Sequence, residues 1–445
     1  MRNAEEIFAA RVPRYTSYPT APHFHAGIDA AVYRGWLRAL DPDAPLSLYV
    51  HIPFCDTLCW FCGCHTKVVN AYSPLAGYLD LLLREIDLVS DVLGPRRRAT
   101  HIHWGGGSPT MLRPGDMRRL AAALRARFDI VPGAEFAIEI DPRGFTPELS
   151  RTLAEIGVTR ASVGVQDFDP AVQRAINRLQ DFDTTAECVR LLRRDGIEEL
   201  SVDLIYGLPH QTVEGLSNTI DQVLALDPGR LAIFGYAHVP GFKKHQALIP
   251  QSALPGLDER FAQAAAARAQ LLAAGYAAIG LDHFAKPGDP MAIAKAQGTL
   301  ARNFQGYTTD TAPALIGFGA SAIGSLPQGY VQNHAEVPAW RAALLTGALP
   351  AARGIALTDD DRIRREAIER LMCDLEADLA AIARRHGRAP ALFADTLAEL
   401  QNLARDGLVT VEGWHVRVPD AAAIRIVCAA FDAYLGKAGM HSVAV

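Results

Sequence analysis

The sequence predicts an α/β protein organised on a parallel sheet, and three observations carry that expectation. Between about residues 40 and 275, six short apolar runs alternate with stretches of helical period, the pattern of repeated βαβ units. Polar or glycine-rich motifs recur at the carboxyl ends of those runs, the edge that holds the active site in a (β/α) barrel. Four of the seven cysteines fall in one run after the first strand, H-I-P-F-C-D-T-L-C-W-F-C-G-C.

Composition sets the outer bounds. The 445 residues are 49% hydrophobic and 21% charged, enough for a large core and for two or three domains or a barrel with appendages. A net charge of −5 argues against broad nucleic-acid binding. The opening M-R-N-A-E-E-I-F-A-A-R has acidic residues and no apolar segment, so a signal peptide is not expected. The most apolar C-terminal stretch is interrupted by Arg425 and Asp432 and is too short to span a bilayer. Clustered cysteines suit a reducing compartment and a metal centre, not a disulfide framework. A cytoplasmic protein with no nucleic-acid and no membrane partner is expected.

Residues 1–39 read as an N-terminal arm. Pro13 and Pro19 disfavour a continuous helix through R-Y-T-S-Y-P-T, which carries Tyr15 and Tyr18. The arm is either a surface strap or a cover over a large ligand. The barrel segment, 40–275, begins with the strand L-S-L-Y-V-H-I and a helix near 74–93. H-I-H-W and a helix near 114–128 follow, then F-A-I-E-I and a helix near 147–156. A-S-V-G-V, a further helix containing A-V-Q-R-A-I-N-R, L-S-V-D-L-I-Y, a helix near 213–226 and L-A-I-F-G-Y complete the six strands.

Cys55, Cys59 and Cys62 have C-x3-C-x2-C spacing, and thiolates at that spacing can converge on one soft metal centre. Structural zinc normally takes four ligands from two separated pairs. A [4Fe–4S] cluster held by three cysteines leaves one iron open for a substrate or cofactor. The spacing also places the three on one helical face, where they could simply be core. Against that reading, Pro53 precedes the run, a strand leads into it and Gly63 breaks it.

Other residues stand out along the strand ends. Gly105-Gly106-Gly107-Ser108 allows close backbone approach. Glu139 and Asp203 are carboxylates inside apolar strands, where an unpaired charge is costly. Asp141 and Arg143 can pair with each other. Gln166 offers both a donor and an acceptor. Arg174 and Arg178 fall at i, i+4 on one face of their helix, where a solvated face is the default.

The cysteine spacing after an apolar strand resembles the radical S-adenosylmethionine (SAM) superfamily. The longer string Y-V-H-I-P-F-C…C-W-F-C-G-C resembles the oxygen-independent coproporphyrinogen III oxidase family. I-G-L-D-H-F-A-K-P and R-N-F-Q-G-Y-T-T, in the segment 276–345, resemble the same family outside the generic radical SAM core. The resemblance implies a partial (β/α)6 barrel with a substrate-side extension at 276–345. It places a [4Fe–4S] cluster on Cys55, Cys59 and Cys62, and Cys64 is not carried over as a ligand. SAM contacts are implied for Tyr49, Gly106, Gly107, Ser108, Glu139, Gln166, Arg178, Asp203, Ala237 and Ile323. Arg178 is matched to the SAM carboxylate, because a guanidinium forks onto a carboxylate. Ala237 and Ile323 are matched to the adenine pocket.

The activity implied is oxidative decarboxylation of two propionates of coproporphyrinogen III to vinyls, giving protoporphyrinogen IX without oxygen. SAM-derived 5′-deoxyadenosyl radicals would drive it, with two SAM molecules in one pocket. An electron donor of reductase or flavodoxin type would serve a monomeric enzyme. No side chain is assigned a catalytic role beyond the cluster and SAM. A haem chaperone or another tetrapyrrole-acting radical SAM protein is the alternative, though such chaperones tend to lack the arm, the C-x-C ending and R-N-F-Q-G-Y-T-T.

Residues 346–445 read as mainly helical and winged-helix-like. Thr358 with Asp361 predicts an N-cap, followed by helices near 359–374, 375–386 and 391–405. Two short strands flank Glu412-Gly413, and a last helix closes the chain. Winged helices elsewhere bind DNA, and a regulator with an iron–sulfur sensor would need specific DNA binding. Acidic residues are mixed through these helices with no basic stripe, so the segment is read as a cap on the barrel. Cys188, Cys373 and Cys428 are isolated and expected in the core.

Overall fold

The computed structural model describes residues 12–436. Residues 1–11, the start of the expected arm and the site of the signal-peptide reading, lie outside them. The six expected strands form, in chain order and mutually parallel: β1 (Leu46–Ile52), β2 (Arg97–Gly106), β3 (Phe128–Ile140), β4 (Arg160–Gln166), β5 (Glu199–Tyr206) and β6 (Arg230–Gly235). Strands β2 and β3 begin earlier than expected, paired from Arg97↔Phe128 across a register shift before His101.

Parallel strands need helical crossovers, and the sequence supplies the start signals. Thr146-Pro147 and Asp169-Pro170 each put a capping side chain before a proline at the first helical position. Thr212 caps the helix Val213–Ala225 in the same way. On β1, Leu46, Leu48, Val50 and Ile52 pack outward into the largest core cluster, with Leu79, Leu82 and Ile86 of the helix Ser73–Leu93. The alternate residues Ser47, Tyr49 and His51 therefore point to the barrel interior.

The sheet does not stop at six strands. Six more follow: β7 (Ala277–Ile279), β8 (His283–Ala285), β9 (Ala314–Phe318), β10 (Ile323–Leu326), β11 (Gly329–Asn333) and β12 (Ala351–Ala356). The order across the sheet is β12-β11-β10-β9-β1-β2-β3-β4-β5-β6-β8-β7. Strand β9 is a seventh parallel strand, beside β1, and the flanking pairs are antiparallel. A partial barrel leaves two strand edges with unpaired backbone groups. The segment after residue 276 returns to both edges and covers them.

Several local expectations are corrected. The helix carrying Arg174 ends at Ala175, and Asn177 is left-handed (φ 55°), so Arg178 lies past the helix and is buried while Arg174 is exposed. Residues 375–386 are not one helix. Glu376–Asp378 pairs with His415–Arg417 in a three-stranded wing, and the helix starts at Leu379 behind an Asp378 cap. The arm contains an unexpected helix, Ala30–Arg38, capped by Asp29.

Tyr15 and Tyr18 are almost wholly buried, packed with Val12 among Leu371, Met372, Phe393 and Phe431 of the C-terminal segment. Tyr15 donates to Asp432 and Tyr18 accepts from Ala433 N–H. Thr358 and Asp361 form a full capping box. Cys188, Cys373 and Cys428 are buried core residues, as expected. Among the described residues, no helix is long and apolar enough to cross a membrane.

Candidate active site at the carboxyl edge of the sheet

The cysteine loop leaves the carboxyl end of β1. Pro53 ends the strand, and Phe54–Cys55 pairs with Lys67–Val68 to close the loop on itself. Its backbone is tied down from two sides. Trp60 N–H donates to Ile176 O and Asn177 Nδ2 to Leu58 O, both at 2.9 Å. From the loop after β6, Lys243 Nζ donates to Cys64 O, His245 Nε2 to Cys62 O and Gln246 Nε2 to Phe61 O, at 2.8–2.9 Å. Cys59 is buried, Cys55 and Cys62 are half-buried, and Cys64 is exposed.

The thiols act on one another. Burial, then the proximity of Cys62 and Cys59, push the Cys55 thiol up to about 12. Hydrogen bonding with Cys64, helped by Lys243 and His245, brings the Cys62 thiol down to about 6. Arg143 Nη2 and Arg178 Nη1 each lie 3.6 Å from Cys59 Sγ. Cationic neighbours favour the thiolate form that a metal ligand needs, and a bound metal deprotonates coordinating thiols outright. The donor set therefore fits a thiolate-held metal group. Among the described residues, no three His, Cys, Asp or Glu side chains are gathered tightly enough to clasp a single metal ion.

Beside the loop, the barrel interior is lined by alternate residues of successive strands. Tyr49 on β1 lies opposite His103 on β2, with rings 5.7 Å apart. His103 Nε2 donates to Glu139 Oε1 at 3.1 Å, and Gly106 N–H donates to Glu139 Oε2 at 2.9 Å. Burial pushes the Glu139 carboxyl up, but these two donors outweigh it and hold it below the usual carboxylate range. Glu139 thus has partners inside the protein, which answers the cost of placing it in an apolar strand.

Asp203 is less well compensated. Burial raises it to about 6 despite a 3.0 Å bond from Ser162 Oγ, and the charge on Glu139 adds to the rise. Gln166 ends β4 at φ 72°, a left-handed conformation that costs energy for a side chain of this kind. Arg178 Nη2 donates to Gly164 O at 2.6 Å and Nη1 meets Asp141 at 3.2 Å. Asp141 is also held by Arg143 at 2.6 Å, the pairing expected from their spacing. Ala237, just past β6, and Ile323, at the start of β10, are both half-buried.

The glycine run proves tighter than an open ligand cradle. Gly107 N–H donates to Ile52 O and Ser108 N–H to Phe54 O, while Gly106 N–H serves Glu139. These amides are spent on the protein, so ligand contacts there must use other groups. Gly106 has φ 115°, and a Cβ on it would fall 2.5 Å from the His51 ring. Ser108 is buried, with its hydroxyl 3.2 Å from that of Thr110.

Two histidines escaped the sequence reading. His51 Nε2 meets His65 O at 3.1 Å, so that nitrogen carries the proton and Nδ1 accepts from Tyr49 O–H at 2.8 Å. Burial lowers its pKa, which favours this neutral form. His103 is the in-register partner of Tyr49. The signal was available: both lie two residues from another interior position on the same strand.

At the same edge, beside β5, β6 and β8, a cavity of about 550 Å³ is lined by the barrel segment together with the arm, the 276–345 segment and the C-terminal segment. Arg14 from the arm, Arg302, and Arg425 of the C-terminal segment meet Arg260 around apolar Ile233 and Phe284. Arg302 stacks over Tyr307 at 4.3 Å and donates to the backbone oxygen of Tyr15 at 3.2 Å. Its Nη1 is buried with no hydrogen-bond partner.

Residues 49–223 match the Radical SAM superfamily and residues 357–424 the HemN C-terminal domain. The chain is 51% identical to an oxygen-independent coproporphyrinogen III oxidase of Bradyrhizobium diazoefficiens, covering 98% of this chain and 97% of that one. This chain belongs to the oxygen-independent coproporphyrinogen III oxidase family. An oxidase of the same name from Cereibacter sphaeroides is 44% identical over 96% of this chain and 95% of its own. The solved Escherichia coli coproporphyrinogen III oxidase, described as a radical SAM enzyme, superposes with a TM-score of 0.91 at 40% identity. That match covers 95% of this chain and 98% of the other. The α/β architecture with its helical C-terminal domain is therefore that of a radical SAM oxidase, and the family implies a [4Fe–4S] cluster and SAM.

Proposed function

We propose that this protein converts coproporphyrinogen III to protoporphyrinogen IX without oxygen, as the names of its relatives describe for them. The observation that carries the reading past the radical SAM core is the arginine cavity. Its apolar walls suit a tetrapyrrole face, and its guanidinium groups suit the propionates that are not reacting. The barrel segment supplies much of its wall, and the arm, the 276–345 segment and the C-terminal segment add Arg14, Arg302 and Arg425.

In this reading Cys55, Cys59 and Cys62 hold the cluster. Tyr49, Gly106, Gly107, Ser108, Glu139, Gln166, Arg178, Asp203, Ala237 and Ile323 surround SAM, with a second SAM in the same pocket. Bound together, a reduced cluster and SAM supply a carbon radical that takes hydrogen from an unactivated C–H bond, chemistry beyond any side-chain acid or base.

The chain's own residues bind and orient. Glu139, kept ionised by His103 and Gly106, is an acceptor for an amine or ribose hydroxyl. Arg178 can turn to a ligand carboxylate because Asp141 keeps Arg143 when it leaves. Asp203, held at the edge of ionisation by burial, accepts from a hydroxyl once ionised. Tyr15 and Tyr18 pin the arm to the C-terminal core and so fix Arg14 over the cavity.

The test is anaerobic. The reconstituted protein receives reductant, SAM and coproporphyrinogen III, and 5′-deoxyadenosine and porphyrin products are separated by chromatography. Substrate-dependent deoxyadenosine with protoporphyrinogen is expected, at two SAM per product, and Cys59→Ala should abolish both. SAM cleavage without decarboxylation would point to another tetrapyrrole, and tight haem binding without turnover to a chaperone.

A further inference from the structure

Glu85, Asp167 and Asp289 are buried carboxylates, and each accepts hydrogen bonds on both of its oxygens. Asp282, in the turn between β7 and β8, is different. Its Oδ1 lies 2.8 Å from His283 Nδ1, and among the described residues Oδ2 has no donor. The side chain is only 14% exposed, and it lines the cavity that holds Arg14, Arg260, Arg302 and Arg425. None of these arginines forms an ion pair with it among the described residues. A carboxylate placed there to neutralise a guanidinium would sit against one.

Burial pushes the Asp282 carboxyl up, but His283, Arg302 and Arg14 outweigh it and hold it below the usual carboxylate range. The group is therefore an anion at neutral pH. It is also held in place. Ile233 N–H donates to Asp282 O at 2.8 Å, and Leu281 N–H donates to the Tyr307 hydroxyl, which donates on to Met372 O. The other carboxylate of the cavity, Asp420, is occupied as a helix cap on Ala422 N–H. An anion with one bare oxygen, fixed among cations, calls for a ligand that is anionic outside and rich in donors at its centre.

We infer that Asp282 Oδ2 accepts the pyrrole N–H groups of a porphyrinogen ring bound in the arginine cavity. The inference rests on the reading of this cavity as the substrate site. In a porphyrinogen, saturated bridges join the four pyrroles and every nitrogen carries a hydrogen. The rings can tilt, so several N–H groups reach one oxygen on one face, in charge-assisted bonds. The propionates leave from the rim of the ring, where the guanidinium groups meet them. An oxidised porphyrin is flat and leaves two central nitrogens with lone pairs, which repel a carboxylate. A site built around such hydrogen bonds rejects the analogue that lacks the donors. Asp282 thus selects the reduced macrocycle; it binds and orients, and no bond to it forms or breaks.

The test compares coproporphyrinogen III with its oxidised form, coproporphyrin III. Cluster-loaded protein with SAM and no reductant is titrated with each by anaerobic calorimetry, which reads binding without turnover. Wild type should bind the porphyrinogen about tenfold or more tightly than the porphyrin. Asp282→Asn keeps an oxygen for His283 and puts an amide NH2 where Oδ2 was. It should lose about tenfold or more in porphyrinogen affinity, with porphyrin affinity, SAM affinity and melting temperature close to wild type. An equal fall for both rings, an unchanged porphyrinogen affinity, or wild type with no preference for the reduced ring would overturn the assignment. The wild-type preference decides by itself if the variant does not fold. Arg302→Gln separates the two levels of the argument. A fall in porphyrinogen affinity there but not in Asp282→Asn keeps the cavity and removes Asp282, and no fall in either removes both. Failure of the proposed reaction shows separately, as no protoporphyrinogen from wild type once reductant is added.

Discussion

Gly107→Ala is a sharp test of how the glycine run serves the cysteine loop. A Cβ at this position would fall 2.5 Å from Phe54 O and 2.7 Å from Phe54 N. Those atoms are backbone, in the residue before Cys55, so no rotamer change relieves the overlap. Ordinary contact begins near 3.4 Å, and the loop must move by close to an ångström. Overpacking of this kind costs about 1–3 kcal/mol. The bonds Gly107 N–H to Ile52 O and Ser108 N–H to Phe54 O weaken as the loop shifts, adding about 1 kcal/mol. A loss of about 2–4 kcal/mol is expected, small enough to leave a folded barrel but concentrated where Cys55 is placed. Urea melts of the cluster-free protein, and iron and sulfide content after reconstitution, measure the two effects. Gly77→Ala is the control, since its Cβ would meet nothing within 4 Å inside the helix Ser73–Leu93. It should stabilise by about 0.5–1 kcal/mol with full cluster content. Gly107→Ala protein with normal stability and a full cluster would refute the reasoning.

Three further outcomes are expected. Asp203 has its pKa raised to about 6 in the fold, so its contribution favours folding at low pH and is lost as pH rises through 6. Asp203→Asn should therefore gain stability over wild type at pH 8 but not at pH 4, as urea melts will show, while SAM affinity falls. Glu85 is buried and accepts from Gly319 N–H, Asn333 Nδ2 and Trp340 Nε1, which join the helix Ser73–Leu93 to the end of β9, to β11 and to the helix Val337–Leu345. Glu85→Leu strands Gly319 N–H and Trp340 Nε1 and leaves Asn333 Nδ2 only its bond to Gly319 O, and should cost at least about 2 kcal/mol in denaturant unfolding. Arg302→Gln removes a guanidinium from the cavity and should raise KM for coproporphyrinogen about tenfold or more, with SAM cleavage in the absence of substrate unaffected. Steady-state kinetics at saturating SAM will separate the two.

Much of this architecture is written locally. The six parallel strands, the Thr-Pro and Asp-Pro helix starts, the cysteine loop and the Thr358 capping box each depend on a few neighbouring residues. Short-range periodicity and φ preference decide such features, so they can be read without the fold. The sequence also placed Glu139 and Asp203 as buried carboxylates requiring partners, though it could not say that His103 and Gly106 satisfy one while Ser162 leaves the other half-compensated.

What tertiary structure alone decided is the meeting of distant segments. Tyr15 and Tyr18 looked exposed because their partners, Asp432 and Ala433, come more than four hundred residues later. Arg178 continued a helical pattern until Asp141, Gly164 and Cys59 offered its guanidinium a buried seat beyond the helix end. Glu376–Asp378 looked helical until His415–Arg417 gave it a strand to pair with. The strands after residue 276 are short and individually weak, and they form because the open edges of a partial barrel leave hydrogen bonds waiting to be made. Backbone groups and charges must be satisfied wherever the chain brings them, and the partner that satisfies them has no fixed spacing in the sequence.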